Sequence, residues 1–227
     1  MIFNVLTLYP EIIRQYRQTG IIGRGFASGA ITINAFNIRD FSLDKHSRTD
    51  DYAYGGADGM LMTPQPVYDA VMAVKCGRDI PVIFFSPRGK KFTTATAKEY
   101  STKSEVILLC GHYEGIDKRA LDLTVTEEIS IGDYIVTGGH IPAMCFMDAV
   151  SRYVPGVLGG SQNAFNESFE NGLLEYDQYT RPANFMGRSV PEVLLSGNTA
   201  AIAKYKAEQS LEITRRLRPD LLKDDED

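Results

Sequence analysis

Short, largely apolar runs recur along the first two thirds of the chain. Residues 2–8 form the first, broken by Pro10, and 82–85 the second, closed by Ser86 and Pro87. Residues 106–109 are a third, closed by Cys110 and Gly111; 123–125 and 134–137 follow, the latter closed by Gly138 and Gly139. Runs without polar alternation predict strands buried on both faces, as in a parallel sheet covered by helices. Helix-length segments lie between them, at roughly 10–19, 65–75, 94–102, 114–121 and 140–152. Strand then helix, repeated, predicts an α/β architecture, a mainly parallel sheet with helices on both faces.

The texture changes near Pro155. Residues 159–171 (GGSQNAFNESFEN) are small and polar, as in a linker. No strong strand follows. Asn198 is placed to cap a helix over 199–216, before Pro219 stops it. The expected organisation is an α/β domain over 1–158, a linker over 159–171 and a small helical domain over 172–227, ending in a solvated DDED tail.

Composition narrows the class. The 227 residues are 44% hydrophobic and 23% charged, enough for a buried core and unlike a disordered, collagenous or disulfide-scaffold chain. A net charge of −5 argues against a surface coated for nucleic-acid binding. Cys76, Cys110 and Cys145 form no CxxC pair, and His46, His112 and His140 lack ligand spacing; this predicts a reducing compartment and no metal site. With no basic n-region at the start and no apolar run of membrane length, the expectation is a soluble cytoplasmic protein.

Familiar phosphate motifs fail. Gly23-Arg24-Gly25 does not follow a strand and reads as a turn. Arg88-Gly89-Lys90-Lys91 lacks the upstream glycine of a phosphate loop, Phe84 standing there, and no Ser or Thr follows the lysine. Glycine-bearing loops do recur after the predicted strands: 86–89, 110–115 and 138–142, with Ser130-Ile131-Gly132-Asp133-Tyr134 just before the last strand. Each alone is an ordinary strand-to-helix turn. Together, at the carboxyl ends of a parallel sheet, they predict a ligand pocket built largely of backbone donors and acceptors.

The same segments belong to an ordered series of blocks. These include Leu8-Tyr9-Pro10-Glu11, Arg39-Asp40-Phe41, Tyr54-Gly55-Gly56, Cys110-Gly111, Tyr113 to Asp117, Ser130 to Tyr134, Gly138-Gly139, Pro142-Ala143-Met144, Ser151-Arg152, Tyr179-Thr180-Arg181-Pro182 and Val193 to Asn198. Their order resembles the bacterial tRNA (guanine-37-N1)-methyltransferases of the knotted SPOUT class over nearly the whole chain. That resemblance implies a deep trefoil knot in the α/β domain, which periodicity alone would not suggest. It implies S-adenosylmethionine held by Ser86, Pro87, Gly111, Tyr113, Glu114, Gly115, Ile131, Gly132, Tyr134, Val136, Gly138, Gly139 and Pro142, and it allows magnesium as an aid to activity. It further implies a homodimer with active sites shared between subunits, acting on a tRNA with G at position 37.

The implied chemistry moves a methyl group to guanine N1, which carries a proton at neutral pH. A base must take that proton, and a donor must stabilise the charge that spreads onto O6. Arg152, whose guanidinium stays charged, matches the family's arginine. The family's base is an aspartate before Ser-Phe; here Glu167 stands there, ahead of Ser168, with a carboxylate displaced by one methylene. Ala53, Asp58, His112 and His140 are further departures from the family pattern. By position Asp50, Gly59 and Ser168 lie near the target guanosine, and Arg215 and Arg216, with Arg218 and the Arg88 segment, are candidates for phosphate contact. Two alternatives stay open: a SPOUT enzyme acting on another RNA base or on ribose, and a non-catalytic RNA-binding relic. A ribose enzyme has no need of a base-deprotonating carboxylate, which favours guanine N1.

Overall fold

The first unit of the computed structural model runs, in chain order, β1 (Ile2–Thr7), α1 (Pro10–Tyr16), α2 (Gly20–Ala27), β2 (Thr32–Asn37), a 3₁₀ turn (Ile38–Phe41), β3 (Asp50–Tyr52), β4 (Met60–Met62), α3 (Pro64–Lys75), β5 (Val82–Lys91), α4 (Thr94–Ser101), β6 (Glu105–Leu109), α5 (Lys118–Thr124), β7 (Glu127–Ser130) and α6 (His140–Ser151). Residues 1–56, 59–159 and 167–222 are described. The chain divides into Met1–Ser161 and Gln162–Asp227. The division falls inside the segment read as a linker, of which 160–166 lie outside the described residues, as does the acidic tail.

Five strands make one sheet in the order β2-β1-β6-β5-β7, and every pairing is parallel. Side chains alternate between two cores. Phe3 and Val5 of β1, Val106 and Leu108 of β6 and Ile83 and Phe85 of β5 pack with Ile13, Ile22, Tyr100 and Phe146, from α1, α2, α4 and α6. The intervening Leu6, Ile107, Leu109, Val82 and Phe84 pack with Val67, Val71 and Leu121, from α3 and α5. Helices therefore cover both faces, and apolar burial on both sides is why these strands read as continuous runs. Phe146 is fully buried, with ring centroids 5.1–5.8 Å from Phe92, Tyr100 and Phe85.

Local signals set several helix ends. Pro64 opens α3, where a missing N–H costs nothing, and Cys76 ends it in a left-handed conformation. Thr93 accepts a hydrogen bond from the Thr96 N–H at the start of α4, and Asp117 does the same for Arg119 at α5.

Several boundaries differ from the sequence expectation. Gly23-Arg24-Gly25 lies within α2 rather than in a turn; a Cβ on Gly25 would sit 3.1 Å from Val157, so the small residue serves close packing. Residues 123–125 belong largely to the end of α5, and the strand starts at Glu127. Residues 114–117 precede α5 instead of opening it. Residues 134–137 are not a strand: Tyr134 and Ile135 are exposed and belong to a long loop after β7. Residues 86–89 are not a loop beyond the strand but an irregularity inside β5, where Phe85 and Lys90 both pair with Ile129. Such a bulge accommodates Pro87, which could not serve a regular inner ladder. The edge strand β2, absent from the sequence expectation, is half polar.

The second unit holds β8 (Asn184–Phe185) and β9 (Arg188–Ser189), a minimal antiparallel pair, then α7 (Glu192–Leu195), α8 (Thr199–Leu217) and a 3₁₀ turn (Pro219–Leu222). Asn198 caps α8, accepting from the Ala201 N–H. Among the described residues no helix is long and apolar enough to cross a membrane.

Candidate active site

A cavity of about 680 Å³ opens at the carboxyl ends of β5, β6 and β7. Every residue that the resemblance put forward as a cofactor wall lines it: Ser86 and Pro87 from the β5 bulge, Gly111, Tyr113, Glu114 and Gly115 after β6, and Ile131, Gly132, Tyr134, Val136, Gly138, Gly139 and Pro142 from the loop after β7 and the start of α6. Phe84, Ile116 and Leu121 add apolar floor, while Glu128, Arg88 and Lys118 add charge. This mixture, apolar walls with a few polar groups and much exposed backbone, suits a ligand with a flat apolar part and charged ends.

Glycine is required where the loops meet. A Cβ on Gly139 would lie 2.8 Å from Cys110 Cα and Gly111 N, and the Gly139 N–H donates to the Gly111 carbonyl at 2.8 Å. The two loops thus touch backbone to backbone. At the cavity's other wall the β3–β4 hairpin docks on the 113–117 segment. Glu114 N–H donates to Met60 O, Met62 N–H to Gly115 O and Asp117 N–H to Met62 O, all near 3.0 Å. Gly59, at φ +94°, lies against Glu114, whose Cγ would be 2.7 Å from any Cβ there. The hairpin therefore brings Gly59 to a residue of the cavity, and Asp50 pairs with Met62 in the same hairpin.

Two histidines flank the loop junction. His112 and His140 stack with centroids 5.3 Å apart and planes 15° from parallel. Tyr9 packs edge-on against His112 at 4.9 Å. Burial, with smaller repulsions from His140 and Arg39, pushes the His112 pKa down to about 4; burial also lowers that of His140, against an opposing pull from Glu11. Arg39 Nη2 donates to Tyr113 Oη at 3.5 Å, a weak contact on the cavity rim.

Of the remaining candidates, Arg88 lines the cavity, and Arg152, Glu167, Ser168, Lys90, Lys91, Arg215, Arg216 and Arg218 are not among its lining residues. Arg152 is the C-cap of α6. Glu167 and Ser168 belong to the second unit, where Ser168 Oγ accepts from the Glu175 N–H at 2.9 Å. Arg215 and Arg216 are exposed in the last turn of α8, whereas Arg218 is paired with Asp220 at 2.7 Å. Arg88, Lys90 and Lys91 are exposed on β5. Asp58 lies outside the described residues. Sequence reasoning left out His112, Ile116 and Leu61 as cavity residues. His112 and Ile116 sit in or beside a loop already singled out. Leu61 gives no signal until the hairpin is seen docked there.

The family model described as tRNA (Guanine-1)-methyltransferase TrmD matches residues 1–224. The chain is 49% identical over 226 residues to a Clostridioides difficile protein named tRNA (guanine-N(1)-)-methyltransferase, covering 98% of each chain. It is 53% identical over 223 residues to a protein of the same name from Caldanaerobacter subterraneus, covering 98% of this chain and 92% of that one. It is 52% identical over 223 residues to another so named from Ruminiclostridium cellulolyticum, covering 97% and 96%. Matches of this length and identity, on a parallel α/β sheet with a glycine-walled cavity at its carboxyl edge, place the chain in the tRNA (Guanine-1)-methyltransferase TrmD family.

Proposed function

We propose that this protein is an S-adenosylmethionine-dependent methyltransferase that modifies N1 of the guanosine at position 37 of tRNA. The observation that carries this reading is the convergence of all the expected cofactor-wall residues on one cavity, in a chain whose relatives are named as methyltransferases of tRNA guanine. The cavity fits the cofactor. Gly111, Gly138 and Gly139 expose backbone for the polar edges of a nucleoside, Ile116 and Pro142 offer apolar contact to its ring, and Glu114 is a carboxylate suited to an amino group. When bound there, S-adenosylmethionine supplies a methyl group made electrophilic by a positively charged sulfur.

The chain's own residues do the rest. Glu167 takes the proton from guanine N1, leaving the lone pair that attacks the methyl carbon. Arg152 donates to O6 and stabilises the negative charge that accumulates there as the proton leaves. Asp50, Gly59 and Ser168 hold the flipped base, an acidic side chain accepting from its amino edge. Arg215 and Arg216 meet phosphates. A net charge of −5 is compatible with this, since one base held in a pocket needs local donors rather than a positive coat. Among the described residues no group of three or more His, Cys, Asp or Glu converges.

The proposed assembly is a homodimer in the cytoplasm. The α/β domain over 1–158 forms a trefoil knot around the cofactor, and the helical domain over 172–227 engages tRNA. The linker over 159–171 carries Glu167 toward a site shared between subunits. The deciding experiment incubates the protein with S-adenosylmethionine and unmodified tRNA bearing G37, then digests the tRNA for mass analysis. N1-methylguanosine at position 37 is the expected product. Its absence, or methylation at ribose, overturns the reading.

A further inference from the structure

The stacked histidines do no work in the chemistry above, yet they stand at the junction of the two loops that wall the cavity. His112 belongs to the loop after β6 and lines the cavity. His140 opens α6, directly after the Gly138-Gly139 turn. Gly138 fits between them: a Cβ there would lie 2.7 Å from His112 Nδ1 and 2.9 Å from His140 Nδ1. Both rings are tied into the same few ångströms as the Gly139 N–H to Gly111 carbonyl bond.

The pair is also left short of polar partners. His112 is 6% exposed. Its Nε2, and Nδ1 of His140, are buried without a hydrogen-bond partner among the described residues. Two rings packed face to face in this way are tolerated while both are neutral; a proton on either adds a desolvated charge beside the other.

We propose that His112 and His140 are positioning residues for the cofactor cavity, their neutral stack holding the 110–115 and 131–139 loops at the separation the ligand needs. The inference rests on the S-adenosylmethionine reading and adds a role that the reaction itself does not require of these side chains. The charged and titratable groups facing the pair are Tyr9 and Glu11 at the start of α1, Arg39 from the 3₁₀ turn, and Cys110 and Tyr113 beside His112. Arg39 opposes a proton on His112, whereas Glu11 favours one on His140. Burial keeps the Cys110 thiol neutral. Of the two rings, His140 is therefore the one with a carboxylate that favours its charged form.

The sign of the pH effect follows. An imidazole freed from the stack takes a proton near its ordinary pKa of about 6.5, whereas the stacked one resists until lower pH. The closed arrangement is thus fully favoured above that value and loses ground as pH falls below it. At pH 5.5, one unit below the free imidazole's pKa, the cost rises to at most about tenfold in cofactor affinity, in proportion to how far the ligand-free protein opens.

The test is calorimetric titration of the full-length protein with S-adenosylmethionine and, separately, with S-adenosylhomocysteine, whose sulfur is neutral, at pH 8 and pH 5.5. The expected result is a loss of several-fold, at most about tenfold, equal for both ligands. His140→Lys, which places a charge in the stack at every pH, is expected to show that loss already at pH 8, with thermal unfolding of the free protein checking that it folds. His140→Phe keeps a ring and removes a titrating group, so it is expected to rescue affinity at pH 8 and to lose less at pH 5.5. A flat profile in the native protein overturns the inference, as does a His140→Phe profile parallel to the native one. A loss confined to the sulfonium ligand also overturns it, because that is simple charge repulsion. No binding of either ligand at pH 8 overturns the cofactor reading itself, and the inference with it.

Discussion

The two units of this chain are stabilised in different ways. In the first, both faces of a parallel sheet are sealed by helices, and Phe3, Leu6, Ile83, Leu108 and Phe146 are almost completely buried. In the second, only Ile213 and Thr214 are buried among the described residues. Its order comes from local bonds instead. Thr214 Oγ1 donates to the Ser210 carbonyl and accepts from the Leu174 N–H, Phe169 N–H donates to the Leu173 carbonyl, and Lys206 lies 4.4 Å from the Tyr176 ring. Phe185 and Met186 are exposed by 65% and 88%. A core of the first kind fixes a cavity to within fractions of an ångström. A lobe of the second kind has little hydrophobic burial of its own, and the dimer and RNA proposed above give its apolar and basic side chains surfaces to meet.

The sharpest way to break this comparison is to remove a ring from the first unit's core. Phe146→Ala deletes a fully buried aromatic that touches three others and is expected to cost about 3–5 kcal/mol, a large part of a domain's stability. Denaturant unfolding followed by circular dichroism measures it. A cost below about 1 kcal/mol, as at an exposed position, would mean the core is not what holds the first unit together.

The next effect is on chemistry and leaves stability alone. Glu167→Gln removes the proposed base and leaves every named lining residue of the cavity as it is. Turnover is expected to fall by about 10²–10⁴, the usual contribution of a positioned base, while affinity for S-adenosylmethionine and the unfolding midpoint stay as in the native protein. Full activity in this variant takes the base role away from Glu167. A loss of cofactor affinity instead means that the second unit helps to form the cavity.

How far each unit could be read beforehand follows from the same physics. The strands at β1 and β6 and the helix α6 are legible because burial on both faces, or an uninterrupted helical segment, writes itself into the order of residues. The edge strand β2, TINAFN, lies at the end of the sheet, is half polar and has one fully buried residue among its six, so its apolar signal fades. Residues 134–137 have the composition of a strand, but Tyr134 and Val136 line the cavity, and one sequence cannot separate apolar residues lining a ligand site from those packed in a sheet. Gly23 and Gly25 suggest a turn, although within α2 they let the helix pack closely. The cavity residues were reached through an ordered set of blocks. The stack of His112 on His140 was not, because 28 positions separate the rings and only the meeting of two loops brings them together.

The smallest expected effect tests the second unit's local order directly. Met186 and Gly187 form the two-residue turn between β8 and β9, at φ +52° and +82°, a conformation that favours Asn or Gly at the first place. A methionine there is strained by about 1 kcal/mol, because its Cβ crowds the backbone at positive φ. Met186→Gly relieves that strain but adds freedom to the unfolded chain, so the net gain is about 0.5 kcal/mol. The gain stays local, since the hairpin is held by few bonds, among them Val190 N–H to Ala183 O at 2.9 Å. Hydrogen exchange is the measurement. The Val190 amide is expected to slow by about twofold, as that free energy requires, while the amides of β6 exchange as before and the unfolding midpoint does not move. Slowing that spreads to β6 would couple the two units more tightly than their separate means of stabilisation imply. An unchanged Val190 amide would mean that the turn carries no strain that the rest of the hairpin has not already relieved.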